Sequence, residues 1–200
     1  MSILTYVYSQ FGRPRGILGR VAGYVMANRP SNVERNDWVL SLLDIRASDR
    51  ILEIGFGPGI AARKAAAQAA EVVGIDRSPL MVEQAAKRNK DWIEKGKLKL
   101  KLGSVDTLDV EPGLFDKIYS VNVVQFWREP VRVFRTLRSV LKPGGVVITA
   151  YMPRHRGASD DDAFAKATEI ENWLGEAGFG QVGTKSRKMK PVAVIAVVAR

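Results

Sequence analysis

A glycine-rich turn carries the strongest chemical signal in this 200-residue sequence. It lies within Ile51–Gly59, which reads Ile-Leu-Glu-Ile-Gly-Phe-Gly-Pro-Gly between an apolar strand and an alanine-rich helix. Glycine tolerates positive φ and lets a ligand approach the backbone closely. The N-terminus of the helix that follows offers unpaired N–H groups. The pattern therefore predicts a site for a nucleotide-like ligand.

Two carboxylates near this turn indicate what the ligand carries. Asp76 stands about 20 residues after the turn, at the end of the next strand, where a carboxylate can accept hydrogen bonds from both hydroxyls of a ribose. Glu53 is separated from Gly55 by one residue, and its charge repels a pyrophosphate but suits an ammonium group. Ile60 occupies the place of the third glycine in the dinucleotide fingerprint G-x-G-x-x-G. A nucleoside joined to an amino acid fits this set better than a nicotinamide dinucleotide does.

Short apolar strands alternate with helices along most of the chain. The predicted strands are Arg50–Ile54, Glu71–Ile75, Lys97–Leu102, Phe115–Val121, Gly145–Ala150, Gln181–Met189 and Pro191–Ala199. The predicted helices include Ile60–Ala70, a helix capped by Ser78 that runs to Asn89, Val131–Leu141 and Phe164–Ala177, and one ends over Trp38–Leu43. This alternation predicts parallel βαβ units in a three-layer α/β sandwich. Ligands of such sheets bind at the carboxyl ends of the strands.

Five motifs, in order, resemble those of the class I S-adenosylmethionine-dependent methyltransferases over about residues 37–200. They are Glu53–Gly59, Gly74–Asp76, Gly103–Asp106, Phe115–Asn122 and Leu141–Ile148. The resemblance implies a Rossmann-like, seven-stranded, mostly parallel sheet with an antiparallel final strand. It also implies S-adenosylmethionine as the cofactor and S-adenosylhomocysteine as its product.

The same resemblance implies a set of cofactor-binding residues. They are Glu53, Gly55, Phe56, Gly57, Gly59, Asp76, Arg77, Met81, Ser104, Val105, Asp106, Asn122 and Val123. Within this set the glycines shape the turn around the methionine part, and Glu53 orients the ammonium group. Asp76 holds the ribose, the residues from Arg77 to Asp106 line the adenine, and the last two residues lie beneath the sulfonium.

Methyl transfer from a sulfonium requires few catalytic side chains, because correct positioning of the two reactants can supply much of the rate. A general base is needed only for a protonated nucleophile. His155, the single histidine, and Tyr151 both follow the predicted fifth strand and are the candidates for that role. His155 also fits the description of an exposed loop residue. The stretch Gln125–Trp127 predicts either acceptor contacts or packing under the next helix.

Composition excludes several other classes of site. The chain has no cysteine, which removes disulfides, thiolate zinc sites and cysteine nucleophiles, and one histidine cannot form a multi-histidine metal site. No apolar run reaches the roughly 18–20 residues of a membrane span, so we expect a cytoplasmic protein. The 31 Lys and Arg against 21 Asp and Glu give a net charge of +10, which favours anionic partners.

These observations predict methyl transfer to a small anionic or aromatic metabolite. Nucleic acid is not favoured as a partner, because the turn after the fourth strand lacks the Asn/Asp-Pro-Pro-aromatic motif of enzymes that methylate base amino groups. The alternatives are an RNA or protein methyltransferase that uses the basic surface, and a cofactor-binding module without catalysis. Residues 1–36 form either a helical lid or a helix pair docked on the domain 37–200. The oligomeric state stays open.

Overall fold

The computed structural model describes residues 16–108 and 110–200, with the side chains of Ile17 and Asp106 outside that description. Its strands are β1 (Arg50–Ile54), β2 (Glu71–Asp76), β3 (Leu98–Leu102), β4 (Phe115–Val121), β5 (Leu141–Tyr151), β6 (Val182–Arg187) and β7 (Val194–Ala199). Its α-helices are α1 (Gly16–Asn28), α2 (Pro30–Leu43), α3 (Ile60–Ala66), α4 (Pro79–Arg88), α5 (Lys90–Glu94), α6 (Pro130–Val140) and α7 (Asp160–Glu176). Two short 3-10 turns, Val105–Thr107 and Val124–Phe126, follow β3 and β4.

The strands form one sheet in the order β3-β2-β1-β4-β5-β7-β6. Strands β1 to β5 pair in parallel, and β7 runs antiparallel to both of its neighbours. The mostly parallel sheet with an antiparallel final strand is therefore confirmed. After β3 the chain crosses to β4 on the other side of β1, which opens a crevice at the carboxyl ends of β1 and β4.

Helices cover both faces of the sheet, so the central strands are apolar on both sides. Helices α6 and α7 bury Phe134 and Ile170 against one face. Helices α2 and α3 bury Leu43 and Ala62 against the other. The three-layer sandwich follows from these two cores.

The helix ends differ from the predicted ones where capping or strand pairing intervenes. Helix α3 ends at Ala66 rather than Ala70, since the N–H groups of Ala70 and Glu71 already bond to the carbonyl of Asp49 at the start of the sheet. Helix α7 begins at Asp160, four residues before the predicted start, because Ser159 and Asp162 form a capping box there. The predicted cap of α4 is confirmed: Ser78 accepts the N–H of Met81.

Helix α1 lies against α4 through a glycine. A Cβ atom on Gly23 would meet the tips of the Gln84 and Met81 side chains, so a larger residue here would require both side chains to move. Arg20 pairs with Glu83 across the same contact at 3.5 Å. The expected boundary after residue 36 falls inside α2, which runs unbroken from Pro30 to Leu43. No helix in the described ranges is long and apolar enough to cross a membrane.

Candidate cofactor and acceptor site

The glycine turn occupies the crevice between β1 and β4 and needs its glycines for two different reasons. Gly55, with φ of 71°, lies so close to Val123 that a Cβ atom would come within 2.5 Å of its Cγ2. Gly59, with φ of 77°, would meet Nδ2 of Asn89 at 2.6 Å. Gly57 also has positive φ, but no described residue lies within 4 Å of its Cβ position. The middle glycine is therefore the one of the three that does not pack against the described part of the chain.

Asp76 holds the turn in shape through the backbone. Its Oδ2 accepts the N–H of Gly57 at 2.8 Å, and its Oδ1 accepts the N–H of Ser78 at 2.9 Å. Burial raises the pKa of this carboxyl, while the two backbone N–H groups and Arg77 oppose that rise. Each carboxylate oxygen has a second lone pair, so Asp76 can accept from a ligand hydroxyl as well.

Glu53 is buried in the sheet beside an aromatic partner. It stands opposite Tyr119 in the β1–β4 register, so both side chains leave the same face, and the Tyr119 hydroxyl donates to Oε2 of Glu53 at 2.7 Å. On the other side its register neighbour is Gly74, which is covered by the ring of Phe56. Burial raises the pKa of Glu53 to about 8 against the opposing Tyr119 hydrogen bond, with a smaller contribution from the charge of Asp76. A buried carboxyl of this kind favours a cationic ligand group.

The residues predicted around the adenine are spread over several environments. Met81 is only 1% exposed and faces Gly23 of α1. The guanidinium of Arg77 lies over the ring of Phe126 at 5.2 Å, which joins the end of β2 to the turn after β4. Ser104 takes part in a capping box with Thr107.

Two further members of the adenine set lie beside Ser104. Val105 is buried in the core, and the side chain of Asp106 lies outside the described part of the structure.

Asn122 and Val123 form the β4 side of the crevice. Asn122 has φ of 54°, a left-handed conformation that asparagine tolerates. Its Nδ2 donates to the carbonyl of Met152 at 2.7 Å, and its Oδ1 accepts the N–H of Met152 at 3.0 Å. This clasp joins the ends of β4 and β5, while Val123 packs over Gly55.

The two candidate bases lie beside α7. His155 is 57% exposed in its side chain, and its Nε2 lies 3.4 Å from Oδ2 of Asp162. Burial raises the pKa of Tyr151, as do the charges of Asp162 and Glu169, which disfavours its phenolate form. The raised pKa argues against Tyr151 as an activated base. The carboxylate beside His155 is exposed rather than buried, so it does not mark His155 as one either.

Three residues that support the site were not predicted from sequence. Tyr119 holds Glu53, as described above. Asn89, fully buried at the end of α4, donates to the carbonyl of Gly59 at 3.1 Å, and Arg88 donates to the carbonyl of Pro58 at 2.5 Å. The apolar alternation of β4 could place Tyr119 on a face, but the register that sets it against Glu53 is not visible in the sequence.

A cavity of about 320 Å³ lies at the opposite, amino-terminal end of the sheet. Its lining includes Asp49 and Lys117, whose charged groups pair at 2.7 Å. It is remote from the glycine turn, and the buried ion pair fits a structural role at that end.

Comparisons with known proteins show the family to which this chain belongs. The family described as methyltransferase domain matches residues 52–149. An uncharacterized methyltransferase, YdaC of Bacillus subtilis, is 31% identical over 182 residues, which cover 90% of this chain and 97% of the relative. The chain belongs to the class I S-adenosylmethionine-dependent methyltransferases. A ubiquinone biosynthesis O-methyltransferase of Xanthomonas euvesicatoria is 29% identical over 168 residues, covering 74% of this methyltransferase and 69% of the relative.

Solved structures share the fold of this methyltransferase. The N-methyltransferase NodS of Bradyrhizobium japonicum, in complex with S-adenosylhomocysteine, has a TM-score of 0.73 at 17% identity, covering 98% of this chain and 96% of that one. A SAM-dependent methyltransferase of Aquifex aeolicus has a TM-score of 0.70 at 18% identity, covering 86% and 93%. Membership of this family gives S-adenosylmethionine as the cofactor of this enzyme. Among the described residues none lies within 4 Å of the Cβ position of Gly57, and the carboxylate oxygens of Asp76 keep lone pairs that could accept from a ligand.

Proposed function

We propose that this methyltransferase acts on an O, N or C atom of a small anionic or aromatic metabolite, mainly by positioning the acceptor. The observation that carries the proposal is the composition of the crevice beyond β4 and β5. There Asn122 donates to the carbonyl of Met152, and Nη1 of Arg35 in α2 approaches the sulfur of Met152 at 3.5 Å, so polar and cationic side chains lie where we propose that the acceptor binds. The similarity to a ubiquinone biosynthesis O-methyltransferase supports a small acceptor.

Three residues near the carboxyl ends of β1 and β2 would hold the cofactor in this proposal. Gly57 offers open space, Asp76 offers acceptor lone pairs, and Glu53 offers a buried carboxyl for a cationic group. When bound, S-adenosylmethionine supplies a methyl group that is already activated by its sulfonium. The chain's own part is to orient the two reactants and to exclude water, which can account for most of the rate.

A large RNA acceptor receives less support from the charge distribution. Many basic side chains of the described surface are paired with carboxylates, among them Arg63 with Asp91 and Lys142 with Asp116. Lys99 on edge strand β3 pairs with Glu71. The positive charge is therefore spread and partly neutralised rather than gathered in one stripe.

Exchange of Asp76 for asparagine tests the cofactor side of the proposal. The Asp76→Asn change removes the negative charge and one acceptor, and we expect calorimetric affinity for S-adenosylhomocysteine to fall about 10- to 100-fold, as for loss of hydrogen bonds to a charged group. Asp91→Asn, at a surface ion pair outside the crevice, is the matched control and should bind like the wild type. Equal affinity of wild type and Asp76→Asn would contradict the ribose-binding role.

A radiolabelled methyl-transfer screen tests the acceptor side. Phenols, amines and aromatic or aliphatic acids form one panel, and total RNA and a peptide mixture form the other. We expect transfer to members of the first panel that saturates with acceptor concentration. Transfer confined to RNA or peptide would overturn the small-molecule assignment.

A further inference from the structure

Two arginines lie side by side where the start of α2 meets the end of β5. Arg35 is only 6% exposed, and Arg154 is half-buried. Both donate through Nη2 to the same oxygen, Oδ1 of Asn32, at 3.0 and 2.9 Å. Arg154 also donates to Oγ of Ser31 at 3.1 Å, and Nη1 of Arg35 approaches the sulfur of Met152 at 3.5 Å. The hydrogen-bond acceptors around these two guanidinium groups are therefore all neutral.

Within the described residues, neither arginine forms an ion pair with a carboxylate. Residues 1–15 contain no Asp or Glu, so that segment has no carboxylate to offer. Burial lowers the pKa of Arg35 to about 9, helped by the charges of Arg154 and Arg29, and it lowers the pKa of Arg154 to about 10, helped by Arg29. The surroundings therefore add positive charge rather than neutralise it.

Each guanidinium also has a buried donor without a partner. Nε of Arg35 and Nη1 of Arg154 are inaccessible and make no hydrogen bond to the described part of the chain. A buried donor left unpaired is costly, more so when it is charged. An oxyanion placed between the two groups would satisfy both donors and neutralise the shared charge, because guanidinium donors match carboxylate and phosphate oxygens.

The position of the pair relates it to the acceptor rather than to the glycine turn. Met152, which Arg35 contacts, is the residue clasped by Asn122 at the end of β4. Both arginines therefore lie beyond the carboxyl ends of β4 and β5, on the side of the crevice away from Asp76 and β2. A ligand group held here would be anchored next to the place where an acceptor meets the end of β4.

We propose that Arg35 and Arg154, held in position by the oxygens of Ser31 and Asn32, bind a carboxylate or phosphate group of the small-molecule acceptor. This inference rests on the proposed function and narrows it, because it makes the anionic group a requirement for recognition. An anionic ligand would also explain why two positively charged side chains lie together here. Neutral donors could join α2 to β5 with a smaller desolvation penalty.

Oxyanion binding can be measured without any methyl transfer. The probes are inorganic phosphate, benzoate and the neutral benzamide. Binding of each probe is measured by thermal unfolding and by calorimetry at constant ionic strength. The variants are Arg154→Gln and Arg35→Met, and the matched control is Arg156→Gln, an exposed arginine two residues along the same loop. We expect phosphate or benzoate to stabilise the wild type and Arg156→Gln, with at least tenfold weaker binding by Arg154→Gln and no effect of benzamide. Which of the two anions binds more tightly distinguishes a phosphate from a carboxylate acceptor.

The Arg35→Met variant separates binding from structural support. If the arginines only fasten α2 to β5, this change lowers the melting temperature. If they serve a ligand, the variant melts at or above the wild-type temperature and loses its response to the anion. Equal anion binding by wild type and Arg154→Gln, or none by the wild type at tens of millimolar, would overturn the proposal.

Failure of the proposed function would look different. S-adenosylhomocysteine affinity, measured on the same proteins, should be unchanged in Arg154→Gln and reduced in Asp76→Asn, whereas anion binding should show the reverse. If no small molecule is methylated but anion binding still depends on Arg154, the anion site stands and the assignment of a small-molecule acceptor fails. If neutral acceptors are methylated with the same KM by wild type and Arg154→Gln, the anion site is overturned and the methyltransferase assignment stands.

Discussion

At the residue scale, Glu53 has a carboxyl group that can ionise, but its buried position disfavours the ionised form. Its carboxyl is buried, hydrogen-bonded by Tyr119 and near Asp76, and its pKa of about 8 keeps it largely protonated at neutral pH. A cationic group arriving in the crevice would favour the ionised form. Binding of an ammonium-bearing ligand is then coupled to release of a proton.

This pKa makes stability depend on pH in a defined direction. Between the ordinary glutamate value of 4.5 and about 8, Glu53 is protonated in the folded chain and ionised in the unfolded one. The folded state binds more protons, so the free energy of unfolding falls as pH rises through this window. Asp76, whose pKa is also raised, contributes in the same direction from its lower ordinary value of 3.8.

Glu53→Gln should flatten that dependence. We expect chemical denaturation to show a smaller loss of stability between pH 5 and 8 in the variant than in the wild type, because an amide has no proton to lose in this range. Tyr119→Phe is the complementary change: it removes the hydrogen bond that favours the carboxylate, raises the folded-state pKa further and should extend the fall to higher pH, with its onset still near the unfolded value. A wild-type stability that is level from pH 5 to 8 would contradict the buried, protonated carboxyl.

At the element scale, the glycine turn contains positions that pack closely and one, Gly57, that we propose faces the cofactor. Gly55 and Gly57 share a left-handed backbone, so alanine at either costs about 1–2 kcal/mol of backbone strain. Only at Gly55 does the added methyl group also collide with a neighbour, Val123.

The two alanine variants should therefore differ in what they damage. We expect Gly55→Ala to lower the melting temperature more than Gly57→Ala does, because it adds overpacking of about 1–3 kcal/mol. Gly57→Ala should keep most of its stability but weaken S-adenosylhomocysteine binding in calorimetry, since its methyl group projects into the open side of the turn. Equal loss of stability in both variants would refute this division.

Element types could be predicted from sequence where one pattern governs them. Alternation and apolar runs located all seven strands, and the Ser78 cap located α4. Features that depend on pairing between distant segments could not be predicted. The β1–β4 register that joins Glu53 to Tyr119, the clasp of Asn122 on Met152 and the shared oxygen of Asn32 all arise from tertiary structure.

The candidate site shows the same limit. The motifs predicted cofactor roles for the turn and Asp76, and the structure joins the two through the hydrogen bond from the Gly57 N–H to Asp76, while the roles themselves stay predictions. They gave no sign that the Phe56 ring covers Gly74 or that the Met81 side chain packs against α1. Both residues keep a predicted cofactor role, and their buried side chains restrict the ways in which they could fulfil it.

At the scale of the whole molecule, α1 has no described side chain in either of the two core clusters. It touches α4 through Gly23, and it exposes several apolar side chains: Leu18, Val21, Tyr24 and Val25. Since α4 follows directly from the Asp76 strand end, α1 is placed to act as a cover over that side of the crevice. This lid remains a proposal.

Gly23→Leu tests whether α1 influences ligand binding. The larger side chain would collide with Gln84 and Met81, so α1 should separate from α4 while both cores keep their cooperative unfolding. We expect faster amide hydrogen exchange in α1 together with weaker S-adenosylhomocysteine binding. Val21→Leu, on the exposed side of the same helix, is the matched control. Loss of protection in α1 at unchanged ligand affinity would argue against a lid.

The arginine pair at α2 also bears on attempts to make this enzyme more heat-resistant. Ser31→Asp would give Arg154 a carboxylate partner within the chain. A screen for higher melting temperature would therefore select this variant. The new side chain would occupy the place that we assign to the acceptor's own anion. Selection for thermostability alone would then favour catalytically impaired variants, so substitutions near Ser31 and Asn32 should be screened for turnover as well as for melting temperature.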